Sequence, residues 1–201
     1  MTMSKAAFLD RDGIINRKAP EGDYITRWED FHILPGVAEG IALLKQAAFS
    51  VIVVTNQRCI AKNLLTVDEL EAIHQKMSLA LSRAGAALDG IYYCPHDSEP
   101  PCRCRKPAPG MLLDAARDHD IDLPASWMIG DSVVDVEAGR KAGCRTAQLL
   151  SASETTDERE GISGTSRSAD IVAPSLLDAA RQILRLEETA ANSFRTTPVA
   201  S

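Results

Sequence analysis

No apolar run in these 201 residues approaches the roughly 20 needed to cross a bilayer. The opening residues, Met1 to Lys5, lack the apolar core of a secretory signal and lead straight into Phe8-Leu9. Basic residues do not predominate: 22 Lys and Arg stand against 28 Asp and Glu, a formal net charge of -6. With no basic aromatic patch either, a nucleic-acid partner is not expected. An even cysteine count is also missing. Three of the five cysteines fall between positions 94 and 104, which argues for metal binding rather than disulfides. The expectation is a cytoplasmic chain with no membrane or nucleic-acid partner, a monomer by default. What is present, 45% hydrophobic and 25% charged residues, matches an ordinary globular protein with one full core.

Short apolar runs alternate with helical patterns. Ala6 to Leu9, Ser50 to Thr55, Gly90 to Cys94, Ser126 to Gly130 and Arg145 to Leu150 read as buried strands, and 169–173 as an edge strand. Helical spacing covers 36–48, the stretch opened by the capping box Thr66 and Glu69 and closed near Gly85, then 110–119, 134–142 and 175–186. Residues 14–35 read as a long loop with one short helical turn, 151–168 as a polar surface loop, and 187–201 as a disordered tail. This alternation predicts a three-layer α/β domain over 1–186, with a parallel sheet covered on both faces and no cap domain. In such sheets ligands bind beyond the carboxyl ends of the strands, where Asp10, Thr55 and Asp131 would all lie.

Asp10 and Asp12, two residues apart and followed by Gly13, offer paired carboxylates at a strand end. One could attack while the other shuttles a proton, and their mutual repulsion would favour a bound cation. Each such motif also has a plain reading. Asp12-Gly13 could be a surface turn, Thr55-Asn56 a strand end, Lys106 a solvated cation, and Gly130-Asp131 a strand-to-helix turn. Their order, and their common place at strand ends, favours one site. Cys94, His96, Cys102 and Cys104 supply three thiols and one imidazole, the donor set of a closed tetrahedral zinc site. A reactive or merely loop-borne thiol cluster is the other reading. Cys59 and Cys144 read as packing residues, and His32, His74 and His119 as structural or solvated.

Asp10-x-Asp12-Gly13, Thr55-Asn56, Lys106 and Gly130-Asp131 with Asp135, in this order, resemble the haloacid dehalogenase (HAD)-like phosphohydrolases over residues 6 to about 150. The resemblance implies a Rossmann-like fold and Mg²⁺-dependent phosphoryl transfer. Asp10 would be the nucleophile, forming an aspartyl-phosphate, and Asp12 the general acid and base. Thr55 and Lys106 would hold and neutralise the phosphoryl group. Asp10, Asp131 and the backbone carbonyl of Asp12 would hold Mg²⁺, with Asp135 orienting that shell. Within this family, Phe8-Leu-Asp-Arg-Asp-Gly13, Thr55-Asn-Gln57, Ile91-Tyr-Tyr-Cys-Pro-His96 and Cys104-Arg-Lys-Pro-Ala-Pro-Gly-Met111 are similar to the D-glycero-D-manno-heptose 1,7-bisphosphate 7-phosphatases. That similarity implies a zinc-containing loop at 94–104, a small phosphorylated sugar as substrate, and Asn56, Gln57, Arg105 and Lys106 facing it. Histidinol-phosphate phosphatases share the aspartates and a similar zinc loop, and form the alternative. A nucleic-acid 3′-phosphatase and a zinc-organised binding module without catalysis are more distant alternatives. The chain departs from the pattern at Arg58-Cys59, Asn63 and Ser132. Arg58 would either contact a second phosphate or lie in solvent.

Overall fold

The structure, a computed structural model, describes residues 3–150 and 169–195. Six parallel strands form one sheet: β1 (Lys5–Leu9), β2 (Phe49–Asn56), β3 (Gly90–Cys94), β4 (Trp127–Gly130), β5 (Arg145–Leu149) and β6 (Ile171–Ala173). Their spatial order is β3-β2-β1-β4-β5-β6, so β1 is central, between β2 and β4. Five helices complete the described residues: α1 (Val37–Gln46), α2 (Val67–Arg83), α3 (Gly110–Asp118), α4 (Val133–Ala142) and α5 (Leu176–Arg195). Between β1 and α1 there is a loop with one 3-10 turn, Trp28–Asp30, and no inserted domain.

Side chains alternate across a strand, and here both faces are apolar. Ala7, Leu9, Val51, Val53, Trp127 and Ile129 point to one side, where Ile41 and Leu44 of α1, Leu70 and Met77 of α2, and Ala180 and Ile183 of α5 cover them. Ala6, Phe8, Ile52, Val54 and Met128 point to the other, against Met111 and Leu112 of α3 and Ala138 of α4. A two-sided burial of this kind explains why β2 reads as a continuous β-branched run. Each fully buried Leu, Ile, Val or Phe contributes about 1.5–3 kcal/mol.

Helix starts follow local chemistry. At α2 the Thr66 hydroxyl accepts from the Glu69 N–H at 3.3 Å, and the Glu69 carboxylate accepts from the Thr66 N–H at 2.8 Å. At α4, Ser132 and Asp135 form the same box, so Ser132 rather than Asp131 caps this helix. That leaves the Asp131 side chain available for other work.

One expected boundary differs. The sequence reads as a tail from residue 187, but α5 continues to Arg195. Its fourth turn is anchored: the Glu187 carboxylate pairs with Lys5 of β1 at 2.9 Å and with Arg145 of β5. These partners are remote in sequence, so helical periodicity alone carries no sign of them. The polar run at 151–168 and the end of the expected tail, 196–201, lie outside the described residues.

Strand register fixes the functional edge. Leu9 pairs with Val53 of β2 and with Ile129 of β4, so all three strands deliver their next residues to the same end. Asp10, Thr55 and Asp131 emerge there, on three adjacent strands.

Candidate active site

Asp10 begins where β1 stops. Its N–H continues the ladder by donating to the Ile129 carbonyl at 2.9 Å, while its Oδ1 accepts from the Arg11 N–H at 2.8 Å. The Lys106 ammonium, itself buried, lies 2.8 Å from Asp10 Oδ1 and 2.6 Å from Asp135 Oδ1. Asn56 sets the height of that lysine. Its side-chain carbonyl accepts from the Lys106 N–H at 3.0 Å, and its amide donates to the Lys106 carbonyl at 3.1 Å. Both polar atoms of this side chain thus clasp the Lys106 backbone.

Carboxylate oxygens of Asp10, Asp131 and Asp135 lie within 4.8 Å of one another. Burial lifts Asp10 to about 7, with Asp135 and Asp12 adding to the rise and Lys106 opposing it. Burial likewise raises Asp131 despite Lys18 beside it. Lys106 shows the opposite balance: burial would pull it down, but Asp10 and Asp135 hold it above the ordinary lysine value. The cluster is therefore short of positive charge. Asp131 Oδ1 is buried and has no hydrogen-bond partner among the described residues. Three crowded carboxylates with a free oxygen suit a hard divalent cation.

Two glycines make this crowding possible. Gly13 has φ +93°, and a Cβ there would lie 1.8 Å from Asp131 Oδ2. A Cβ on Gly130 would lie 2.2 Å from the Asp135 Cβ.

Asp12 points into a separate set of donors. Arg11 Nη2 reaches its two oxygens at 2.9 and 3.1 Å, Asn16 Nδ2 donates at 2.8 Å, and Gln57 Nε2 at 3.2 Å. Gln57 also donates to the Thr55 hydroxyl at 2.8 Å and is buried. Like Asn56, it orients site residues where the sequence suggested a substrate contact. Arg11, Asn16, Lys18 and His74 are site neighbours that sequence reasoning missed. Arg11 is 1% exposed, and its Nη1 donates to His74 Nε2 at 3.2 Å. The available signal for His74 was its position four residues after Leu70, on the buried face of α2.

Arginine can only donate, so His74 Nε2 must accept, which requires a neutral ring protonated on Nδ1. Burial, reinforced by Arg11, lowers His74 to about 3. Because the unfolded imidazole titrates near 6.5, acidification protonates the unfolded chain first. His74 therefore leaves stability intact above pH 6.5 and erodes it as pH falls from 6.5 towards 3. At pH 5.5 this loss amounts to about 1.4 kcal/mol. Thermal unfolding at pH 7.5 and 5.5 should show a smaller acid-induced drop for His74→Gln than for the unmodified chain.

The loop after β3 gathers the second constellation. Sγ atoms of Cys94, Cys102 and Cys104 are 3.2–3.5 Å apart, and His96 Nδ1 lies 3.2 Å from Cys104 and 3.5 Å from Cys94. Metal–sulfur bonds of ~2.3 Å in a tetrahedron would place the ligands ~3.7 Å apart, close to this spacing. Three thiols and an imidazole nitrogen so arranged suit zinc. Arg105 donates to the His96 carbonyl at 3.3 Å, tying off the same loop. Arg58 is partly exposed, and its guanidinium pairs with Asp97 at 2.5 Å, bridging two loops. Cys59 and Cys144 are buried packing residues away from the cluster.

The HAD-hydrolase-like family model matches residues 103–179. The D-glycero-beta-D-manno-heptose-1,7-bisphosphate 7-phosphatase of Bordetella bronchiseptica is 41% identical over 140 residues, covering 70% of this chain and 77% of the relative. The Haemophilus influenzae enzyme of that name is 37% identical, covering 92% of this chain and 100% of the relative. A D-glycero-alpha-D-manno-heptose-1,7-bisphosphate 7-phosphatase of Mycobacterium bovis is 38% identical, covering 73% and 80%. Among solved structures, the D,D-heptose 1,7-bisphosphate phosphatase of B. bronchiseptica, complexed with magnesium and phosphate, superposes with a TM-score of 0.79. That match is 36% identical and covers 90% of this chain and 99% of the neighbour. The chain belongs to the HAD-like hydrolases and, within them, to the family of the heptose-1,7-bisphosphate 7-phosphatases.

Proposed function

We propose that this chain removes the 7-phosphate of a D-glycero-D-manno-heptose 1,7-bisphosphate in nucleotide-activated heptose biosynthesis, acting as a cytoplasmic monomer built from one phosphatase domain. The observation that carries the chemistry is the Asp10 carboxylate at the centre of the sheet edge, with Lys106 2.8 Å from its Oδ1. The names of the relatives support the substrate. No helix among the described residues is long and apolar enough to cross a membrane.

In this reading Asp10 attacks the 7-phosphorus as the bond to the sugar oxygen breaks, giving an aspartyl-phosphate. Asp12, aimed by Arg11, Asn16 and Gln57, gives its proton to the departing oxygen. It then takes a proton from the water that attacks phosphorus and frees Asp10, which restores both carboxyl groups and releases inorganic phosphate. Lys106 and the Thr55 hydroxyl steady the phosphoryl oxygens, and Asn56 keeps Lys106 in place. Asp10, Asp131 and the Asp12 carbonyl would hold Mg²⁺. Asp135, engaged by Lys106 and by the α4 cap, serves to orient them. The bound ion would supply the positive charge that the phosphoryl transfer requires.

Cys94, His96, Cys102 and Cys104 would hold Zn²⁺ with no open position, a structural role. Arg105 and Arg58 then shape the mouth of the site through the zinc loop, rather than by direct contact with the transferred phosphate.

The test is phosphate release with Mg²⁺, comparing both anomers of heptose 1,7-bisphosphate with histidinol phosphate at equal concentration. The expected kcat/KM for the better bisphosphate exceeds that for histidinol phosphate by at least ~10²-fold. Preference for histidinol phosphate would overturn the substrate while leaving the chemistry in place.

A further inference from the structure

Positive charge around the carboxylate cluster comes from two lysines of different character. Lys106 is buried and shared by Asp10 and Asp135. Asp131 is served instead by Lys18, whose ammonium lies 2.6 Å from Asp131 Oδ2 while its side chain is 53% exposed. The two residues before Lys18 are pinned. Asn16 Nδ2 donates to Asp12 and to the Arg17 carbonyl, both at 2.8 Å, and the Arg17 N–H donates to the His32 carbonyl at 2.9 Å. The Lys18 ammonium is thus a cation on a flexible stem with a fixed base.

Its partner is an oxygen the metal would need. Asp131 belongs to the three-carboxylate cluster, and the lysine occupies Oδ2 while Oδ1 has no partner among the described residues. The side chain that would separate them is missing: a Cβ on Gly13 would sit 1.8 Å from Asp131 Oδ2 and 3.0 Å from Lys18 Cε. An ammonium and a divalent ion repel, so they cannot share this small carboxylate without loss to both. Reciprocity then requires that whatever the lysine gains at Asp131 is subtracted from metal affinity.

We propose that Lys18 is a tethered counter-cation that occupies Asp131 in the metal-free enzyme and is displaced when Mg²⁺ binds. It thereby sets the Mg²⁺ concentration at which the site loads. This rests on the reading of Asp10, Asp131 and the Asp12 carbonyl as the Mg²⁺ ligands, with Asp135 orienting them. The pairing neutralises a carboxylate that would otherwise repel Asp10 and Asp135. Half-exposed as it is, the lysine can swing into solvent without disturbing the core.

The experiment titrates MgCl₂ alone into the full chain by calorimetry, for the unmodified protein, Lys18→Met and Lys18→Arg, and follows thermal unfolding of each in EDTA and in saturating Mg²⁺. Lys18→Met should bind Mg²⁺ roughly three- to tenfold more tightly. It should melt lower than the unmodified protein in EDTA, with that gap closing in saturating Mg²⁺. Lys18→Arg, which keeps the charge, should resemble the unmodified protein in both measurements. An unchanged or weaker Mg²⁺ affinity for Lys18→Met overturns the inference, and so does a melting temperature in EDTA that is not lowered. Failure of the unmodified protein to bind Mg²⁺ would instead remove the metal reading beneath it.

Discussion

Asp10→Asn should lower phosphate release by at least about 10⁴-fold while leaving the chain folded. The amide keeps the shape of the carboxyl group but is a poor nucleophile, and no second carboxylate can take over. Asp12 is turned towards Arg11, Asn16 and Gln57, while Asp135 is engaged by Lys106 and the α4 cap. Stability should move the other way. Burial and the neighbouring carboxylates lift Asp10 to about 7 in the metal-free site, so the folded state binds its proton more tightly than the unfolded chain does. The stability this contributes is present at low pH and is lost as pH rises through 7. In EDTA at pH 8 the charged Asp10 is therefore a liability, and Asp10→Asn should melt at or above the unmodified protein. Single-turnover phosphate release and thermal unfolding at pH 8 together test this. Residual activity above about 1% of normal would remove Asp10 from the nucleophile's role.

The second large effect concerns the loop between β3 and α3. On the proposed zinc reading, elemental analysis should find one equivalent of zinc per unmodified chain and well below half of that in Cys104→Ser. The substitution should also lower the melting temperature by about 10 °C or more, because a structural zinc ion contributes folding free energy directly. Activity should fall with it. Lys106 follows Cys104 by two residues, and its backbone is clasped by Asn56, so a slack loop misplaces the ammonium that faces Asp10. Arg103, paired with Asp114 at 2.9 Å, ties the same loop to α3, but one exposed pair of this kind is too weak to hold the loop by itself. A variant that lost zinc yet kept both its melting temperature and its kcat would show that the loop needs no metal to hold Lys106.

Read from the residues alone, the molecule's architecture was largely visible. β2 is a β-branched run because helices cover both of its faces, and α2 announces its start through Thr66 and Glu69. Both signals are local: side-chain period and capping depend on neighbours a few residues away. The paired acids Asp10 and Asp12 were visible for the same reason, as were the four donors between Cys94 and Cys104. Dense functional side chains in a short stretch have few plain explanations.

The partners of those residues were a different matter. Nothing near Arg11 in sequence says that it will be buried against a histidine on α2, and nothing near Lys18 says that it will reach Asp131. Asn56 and Gln57 lie at the end of β2 as the sequence indicates, but their bonds to Lys106, Thr55 and Asp12 come from loops and strands that no local pattern names. Arg58 found Asp97, and Glu187 found Lys5 and Arg145, each across a large gap in sequence. Periodicity and motif order by themselves determined the layers, the strand ends and which acidic side chains stand there. The order of the strands and the return of distant loops decided which group touches which. Such contacts are fixed by how separate elements pack in three dimensions, information that no local pattern of residues carries.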